Sequence, residues 1–284
     1  MKIIRSITEM QAVSKTHKSQ GETVALVPTM GYLHKGHASL MRHAKENADV
    51  VIVSLFVNPT QFAQGEDFDS YPQDFERDKA VTEEIGVNYL FMPIASEMYP
   101  DGYNSSVVVS GISKKFEGST RPTHFNGVAA VVAKLFNACL PDIAVFGQKD
   151  YQQTLVIKRF TRDLNFPVEI VVAPTKREKD GLAMSSRNVY LSEQECEDAT
   201  ILFKSLTKAS EAIKAGERSR MVINNIMLDS LNSIDKINPD YACAADADTF
   251  DEPEEFARGQ RIVLMIAVYL GKTRLIDNTV ITLP

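Results

Sequence analysis

No stretch of this 284-residue chain approaches the roughly 20 apolar residues that a membrane-spanning helix needs. The best candidate, Ile262 to Leu270, has only the length of a strand. The opening MKIIRSITEM is interrupted by Arg5, Ser6, Thr8 and Glu9, which makes it a poor secretory signal. Cysteine is scarce. Cys139, Cys196 and Cys243 lie far apart without CxxC spacing, so neither a disulfide framework nor a zinc site is expected. Basic charge is not in excess either: 31 Lys+Arg stand against 37 Asp+Glu, a formal net charge of −6. A wide nucleic-acid surface needs the opposite balance, although a local basic pocket for one small polyphosphate remains compatible. There are no repeats and no low-complexity tracts. These absences point to a cytoplasmic protein that engages neither membrane nor nucleic acid.

What is present is a globular composition, 44% hydrophobic and 24% charged, on a chain long enough for one large or two medium domains. Its first half alternates short apolar runs with helical patterns. Thr8-Glu9-Met10-Gln11 reads as a capping box opening a first helix. Strands are expected at Thr23 to Val27, Val50 to Phe56, Asn88 to Met92 and Asp142 to Phe146. Helices are expected near Gly36 to Asn47, Asp74 to Ile85, Asn126 to Leu140 and Asp150 to Leu164. Continuous apolar strands between helices imply a Rossmann-like parallel α/β sheet with helices on both faces. After Pro174 the pattern changes. Ser192-Glu193-Gln194-Glu195 opens a long helix to about Ala215, and a second helix covers Arg220 to Leu231. Strands follow at Tyr241 to Ala245, Ile262 to Leu270 and Arg274 to Ile281. This predicts a domain over 1–175 and a smaller α+β domain over 176–284. The run Val107-Val108-Val109 fits either a buried strand or part of an interface.

The strongest local signal is PTMGYLHKGH, Pro28 to His37, directly after a strand and opening a helix. His34 and His37, three apart, can share one helix face. Gly36 permits close approach of a phosphate to the backbone. A helix start offers unpaired N–H groups and positive partial charge, which favour an anion. Imidazolium donors there would stabilise charge developing on an α-phosphate. A zinc reading is weaker, because no third ligand sits at a convincing spacing.

A second signal is Met184-Ser185-Ser186-Arg187-Asn188, where hydroxyls and an arginine in a short loop suit a triphosphate. Three further segments, FVNPTQF from Phe56, FEGSTRPTHFNGV from Phe116 and FGQKDYQQ from Phe146, place polar groups at expected strand ends or helix starts. In parallel sheets, ligands bind at those ends.

These motifs, in this order and across essentially the whole chain, resemble those of the pantoate–β-alanine ligase (pantothenate synthetase) family of the HxGH nucleotidyltransferase superfamily. The resemblance implies a two-step reaction. ATP and (R)-pantoate give pantoyl adenylate and pyrophosphate, and β-alanine then gives pantothenate and AMP. It implies an ATP site formed by Met30, Gly31, Tyr32, Leu33, His34, Lys35, Gly36 and His37, by Gly147, Gln148, Lys149 and Asp150, and by Met184, Ser185, Ser186 and Arg187. His34, His37, Lys149 and Arg187 would carry the catalysis, with His37 the foremost donor to the leaving or transferring group. Ser185 and Ser186 would help neutralise the triphosphate, while Asp150 and Gly147 would hold the ribose. Gln61 and Gln153 would hold pantoate, with Gln61 also near β-alanine. The resemblance further implies Mg²⁺, with Asp78 as its candidate ligand and Asp74 and Glu76 close by, and a homodimer. Lys176 stands near the adenine position, where the family carries an apolar residue; if backbone groups hold the base, its side chain points outward. The second domain would act as a lid excluding water from the reactive adenylate.

Two rival readings differ in specific residues. Another HxGH transferase, placing a nucleotidyl group permanently on a phosphate, would want an extra basic pair where Gln61 and Gln153 stand. An idle nucleotide- or RNA-binding module would lack a histidine or carry a basic exterior.

Overall fold

A computed structural model describes residues 1–63 and 65–284. The chain divides into two compact units, residues 1–148 with 152–174 and residues 149–151 with 175–284. The first unit is built on β1 (Lys2–Ile4), β2 (Val24–Thr29), β3 (Val50–Leu55), β4 (Tyr89–Phe91), β5 (Ile143–Gly147) and β6 (Glu169–Ala173). All pairings are parallel, in the order β1-β4-β3-β2-β5-β6. Its main helices are α1 (Ile7–Ser19), α2 (Lys35–Asn47) and α3 (Phe75–Ile85), with two short ones, α4 (Ala95–Met98) and α5 (Glu117–Thr120). Two more, α6 (His124–Cys139) and α7 (Tyr151–Asp163), complete the set among the described residues.

The strands are apolar along their whole length because both faces are covered. Along β2, Val24 and Leu26 join a cluster with Met10 of α1 and with Val128, Leu135 and Phe136 of α6. The alternate residues Ala25 and Val27 pack with Leu40, Met41 and Ala44 of α2 in a second cluster. Successive side chains of a strand point to opposite faces, so one apolar run serves two cores.

Strand order sets where a ligand can enter. From β2 the chain moves outward to β3 and β4, then returns to β5 on the other side of β2. The carboxyl ends of β2 and β5 therefore flank a topological switch point, where open parallel sheets bind ligands. The PTMGYLHKGH stretch leaves β2, and Gly147 ends β5.

The second unit pairs α8 (Glu193–Lys214) and α9 (Arg220–Leu231) with an antiparallel sheet of β7 (Ile237–Asp246), β8 (Arg261–Leu270) and β9 (Thr273–Thr282). Ser192 caps α8 reciprocally: its hydroxyl accepts from Glu195 N–H at 3.3 Å, and the Glu195 carboxylate accepts from Ser192 N–H at 2.8 Å. Ile262, Leu264, Ile266 and Val268 of β8 pack with Leu202, Leu206, Ile223 and Met227 of the helices. Among the described residues no helix is long and apolar enough to cross a membrane.

The parallel sheet and the smaller α+β segment agree with the sequence expectation; several local details do not. The cap of α1 is Ser6, whose hydroxyl accepts from Glu9 N–H, rather than Thr8, which already lies inside the helix. The strands β1 and β6 escape periodicity because three and five residues at sheet edges carry little pattern. At the other end, β7 begins four residues before the expected Tyr241, and a register irregularity between Pro239 and Tyr241 masks that start. Val107-Val108-Val109 belongs to no strand: Val109 is buried and Val108 is 60% exposed.

Candidate active site

The site starts from backbone geometry at the end of β2. Gly31 and Tyr32 take consecutive positive φ values, 90° and 51°. Such a pair aims successive N–H groups at one point, forming an anion-binding nest. The anion is internal. Asp78 of α3 accepts from Tyr32 N–H at 2.8 Å and from Leu33 N–H at 2.6 Å. A side chain on Gly31 would begin 3.0 Å from the same carboxylate, and left-handed φ is strained there for any other residue. Burial raises the Asp78 pKa, and its two backbone donors act in the opposite direction. The Arg77 guanidinium lies 4.8 Å from the Tyr32 ring centre, packing the strained tyrosine from outside.

That nest delivers the chain into α2, whose start is capped by the two histidines themselves. His34 is the N-cap, and its Nδ1 accepts from Gly36 N–H at 3.1 Å. His37 Nδ1 accepts from His34 N–H at 3.3 Å. The rings lie 4.0 Å apart and tilted. A nitrogen that accepts a hydrogen bond carries no proton, so these bonds select neutral rings with hydrogen on Nε2. Protonating either Nδ1 would break the cap it accepts. In the bonded state each Nε2–H is a donor near the positive end of a helix dipole.

A second group forms after β3. Asn58 is buried, and its Nδ2 donates to Gln61 Oε1 at 3.1 Å and to Gly127 O at 3.2 Å. Its Oδ1 accepts from Tyr99 at 2.7 Å. Gln61 Nε2 contacts Met30 Sδ at 3.0 Å, linking this turn to the PTMGYLHKGH stretch. The Gln61 carbonyl accepts from His124 Nδ1 at 2.9 Å and from Arg121 at 3.3 Å. Arg121 in turn holds Glu66 through two 2.6 Å bonds. Burial and the adjacent Arg121 push the His124 pKa down to about 4, leaving a neutral ring that donates from Nδ1. Burial raises the Glu66 pKa, but the paired guanidinium outweighs it and the carboxyl stays below its ordinary value. The approach is close: a Cβ on Gly127 would lie 2.3 Å from Thr60 O.

The sequence marked FEGSTRPTHFNGV without a role for its charged residues. The three-residue spacing of Arg121 and His124 was the available signal; nothing local tied them to Glu66 or Gln61. Tyr99 left no signal at all. Of the two glutamines opening α7, Gln152 is buried and structural: its amide serves Ile112 O, Lys115 O and Glu117 N–H. Gln153 is half-buried.

The remaining candidates separate by unit. Gly147 and Gln148 belong to the first, while Lys149 and Asp150 belong to the second. There Ser185 caps a 3₁₀ turn over Ser186–Tyr190, its hydroxyl accepting from Arg187 N–H at 3.2 Å. Met184 and Ser186 are buried, Ser185 and Arg187 half-buried, and Lys35, Asp150 and Lys176 exposed. The Lys176 carbonyl accepts from Met184 N–H at 3.0 Å. Asp74 caps α3 by accepting from Arg77 N–H at 3.1 Å. Among the described residues no group of three His, Cys, Asp or Glu side chains converges as a metal cage.

A doubly wound parallel sheet with an imidazole-capped helix at its switch point defines the class: an α/β enzyme of nucleotide-dependent chemistry. Comparisons with known proteins narrow the class. The family model for pantoate-β-alanine ligase matches residues 2–280. A pantothenate synthetase from Acetivibrio thermocellus is 48% identical over 281 residues, covering 99% of each chain. The crystal structure of the pantothenate synthetase of Thermus thermophilus superposes with a TM-score of 0.91 at 41% identity, covering 98% of this chain and 99% of that one. The pantoate-β-alanine ligase of Francisella tularensis, crystallised with beta-gamma ATP and β-alanine, gives 0.80 at 33% identity, covering 98% and 97%. The chain belongs to the pantoate–β-alanine ligase family.

Proposed function

We propose that this chain condenses (R)-pantoate with β-alanine at the expense of ATP, through a pantoyl-adenylate intermediate. The observation that carries the chemistry is the reciprocal histidine cap of α2, which fixes two Nε2–H donors at a helix start. In the first step a pantoate carboxylate oxygen attacks the α-phosphorus, and the bond to the bridging oxygen of pyrophosphate breaks. Charge grows on the transferring and leaving oxygens, where fixed donors in a water-poor site are most effective. His37 and His34 donate there, and Lys149, Ser185, Ser186 and Arg187 meet the remaining phosphate charge. Gly147 and Asp150 hold the ribose, and backbone groups around Lys176 face the base.

Gln61 and Gln153 hold pantoate. The orientation of Gln61 is supported by Asn58 on its side-chain oxygen and by His124 and Arg121 on its carbonyl. In the second step the amine of β-alanine attacks the acyl carbon beside Gln61. The bond from acyl carbon to the AMP oxygen breaks, and the amine loses its proton. No enzyme nucleophile is required, so the protein contributes positioning and electrostatics.

Mg²⁺ accompanies ATP as its phosphate-bound counterion. Among the described residues no cage forms for it, and both Asp78 oxygens already accept backbone N–H groups, so Asp78 is assigned to bracing the loop. We assign the enzyme to the cytoplasm and to a homodimer.

The test is pantoate-dependent exchange of labelled pyrophosphate into ATP, followed by AMP release when β-alanine is added. Exchange that proceeds equally without pantoate would defeat the substrate assignment. Chelation by EDTA should abolish exchange, and excess Mg²⁺ should restore it.

A further inference from the structure

Two segments assigned above to the triphosphate, Lys149 and Ser185–Arg187, are distant in sequence yet lie in one compact unit. Adjacent residues of β9 connect them. Asn278 is 3% exposed, and its Nδ2 donates to the main-chain oxygen of Lys149 at 2.8 Å. Its neighbour Asp277, also 3% exposed, receives a two-pronged bond from Arg177 at 2.6 and 3.0 Å. The same guanidinium donates to Gly181 O at 3.1 Å and to Asn278 O at 3.3 Å, and lies 4.4 Å from the Phe203 ring centre.

Arg177 begins the hairpin that ends at the Ser185 loop. It bridges Ala183, and Glu178 N–H donates to Leu182 O at 2.8 Å. Asn188 then ties the far side of the loop back by donating to Ala183 O at 3.1 Å. On the other segment, Tyr151 donates to Ala247 O at 2.6 Å and stacks on Phe250. Each link runs through backbone or through a side chain that is itself hydrogen-bonded, which restricts both segments.

A buried ion pair is weak evidence for stability, because an apolar pair of similar volume is often as stable or more so. What the Arg177 fork supplies is directional geometry, which an apolar pair lacks. We propose that Arg177, Asp277 and Asn278 are positioning residues that hold Lys149 and Ser185–Arg187 at one fixed spacing, so that the two segments recognise a triphosphate jointly. The proposal rests on the assignment of those segments to ATP phosphates. A chain of one or two phosphates gains less from the spacing than ATP does.

The experiment is calorimetric binding of ATP and of AMP to the full-length enzyme and its variants, with thermal melting as a parallel readout. Asn278→Ala and Arg177→Lys should each weaken ATP about tenfold while changing AMP less than twofold. The paired replacement Arg177→Met with Asp277→Leu removes the half-buried and buried charges together; it should retain the wild-type melting temperature and still lose the ATP preference. Equal weakening of ATP and AMP, or unchanged ATP binding in the paired variant, would overturn the proposal. Wild-type enzyme without pantoate-dependent exchange would defeat the reading of the reaction, yet the ATP-to-AMP comparison would still decide this one.

Discussion

The two regions proposed to meet the phosphates of ATP are held by different means. At the start of α2, order comes from neighbours in sequence: His34 caps Gly36, His37 caps His34, and the strained turn at Gly31 and Tyr32 needs one distant group, Asp78. At Ser185–Arg187, the local cap is one serine, and the loop depends on Arg177 and Asp277, 100 residues apart. A region built from local bonds shows in the sequence as a motif. A region built from remote partners shows as an ordinary polar turn.

If that contrast is right, the histidine region should combine the largest catalytic losses with small stability losses. His37→Ala should lower turnover about 10²- to 10³-fold, the range for removing one preorganised donor. Its cost in stability should be only about 1 kcal/mol, that of a cap. Steady-state kinetics beside urea unfolding checks both, and a large loss of stability would place His37 among structural residues instead.

Asp78→Asn should come next. The amide keeps one acceptor but turns an N–H₂ toward a backbone N–H, costing about 1–3 kcal/mol of stability. Turnover should fall about tenfold as the nest loosens. Supplementing Mg²⁺ should not restore it, since the carboxylate braces the loop; recovery at high Mg²⁺ would return Asp78 to the metal.

His124 sharpens the comparison through pH. Its folded pKa of about 4 lies below the ordinary value of 6.5, so below pH 6.5 the unfolded chain binds the extra proton. Stability from this ring is complete above about 6.5 and is lost as the pH falls toward 4. His124→Gln should flatten that part of the stability profile by about 3 kcal/mol, measured by urea unfolding at intervals of half a pH unit. An unchanged slope would remove the neutral-histidine account of the Gln61 carbonyl.

The smallest effect belongs to Lys176→Ala. With its side chain exposed and only its carbonyl engaged, the KM for ATP should change less than twofold. A tenfold rise would bring the lysine itself into contact with the nucleotide.

Much of the fold was legible because parallel strands covered on both faces must be continuously apolar, as Val24 to Val27 and Val50 to Val53 are. The caps at Ser192 and Gly86 were legible for the same reason: their partners lie within a few residues. The edge strands β1 and β6 were not, being short and only partly covered. Within the site, His34 and His37 announced themselves by spacing and by the strand before them. Their tautomer did not, because it depends on which N–H groups each ring meets.

The sequence by itself determined the class of architecture, the position of the helix that carries the histidines, and the order of motifs that marks the family. Periodicity and capping act over a few residues, and a linear chain displays them directly. Only the tertiary structure decided that Asp78 closes a backbone nest, that Glu66 and Arg121 stand behind Gln61, and that Lys149 groups with β9 rather than with the strand before it. Those assignments require groups on residues 46, 55 and 129 positions apart to meet. No local propensity encodes such meetings, because they arise only when packing of the cores fixes where each loop returns.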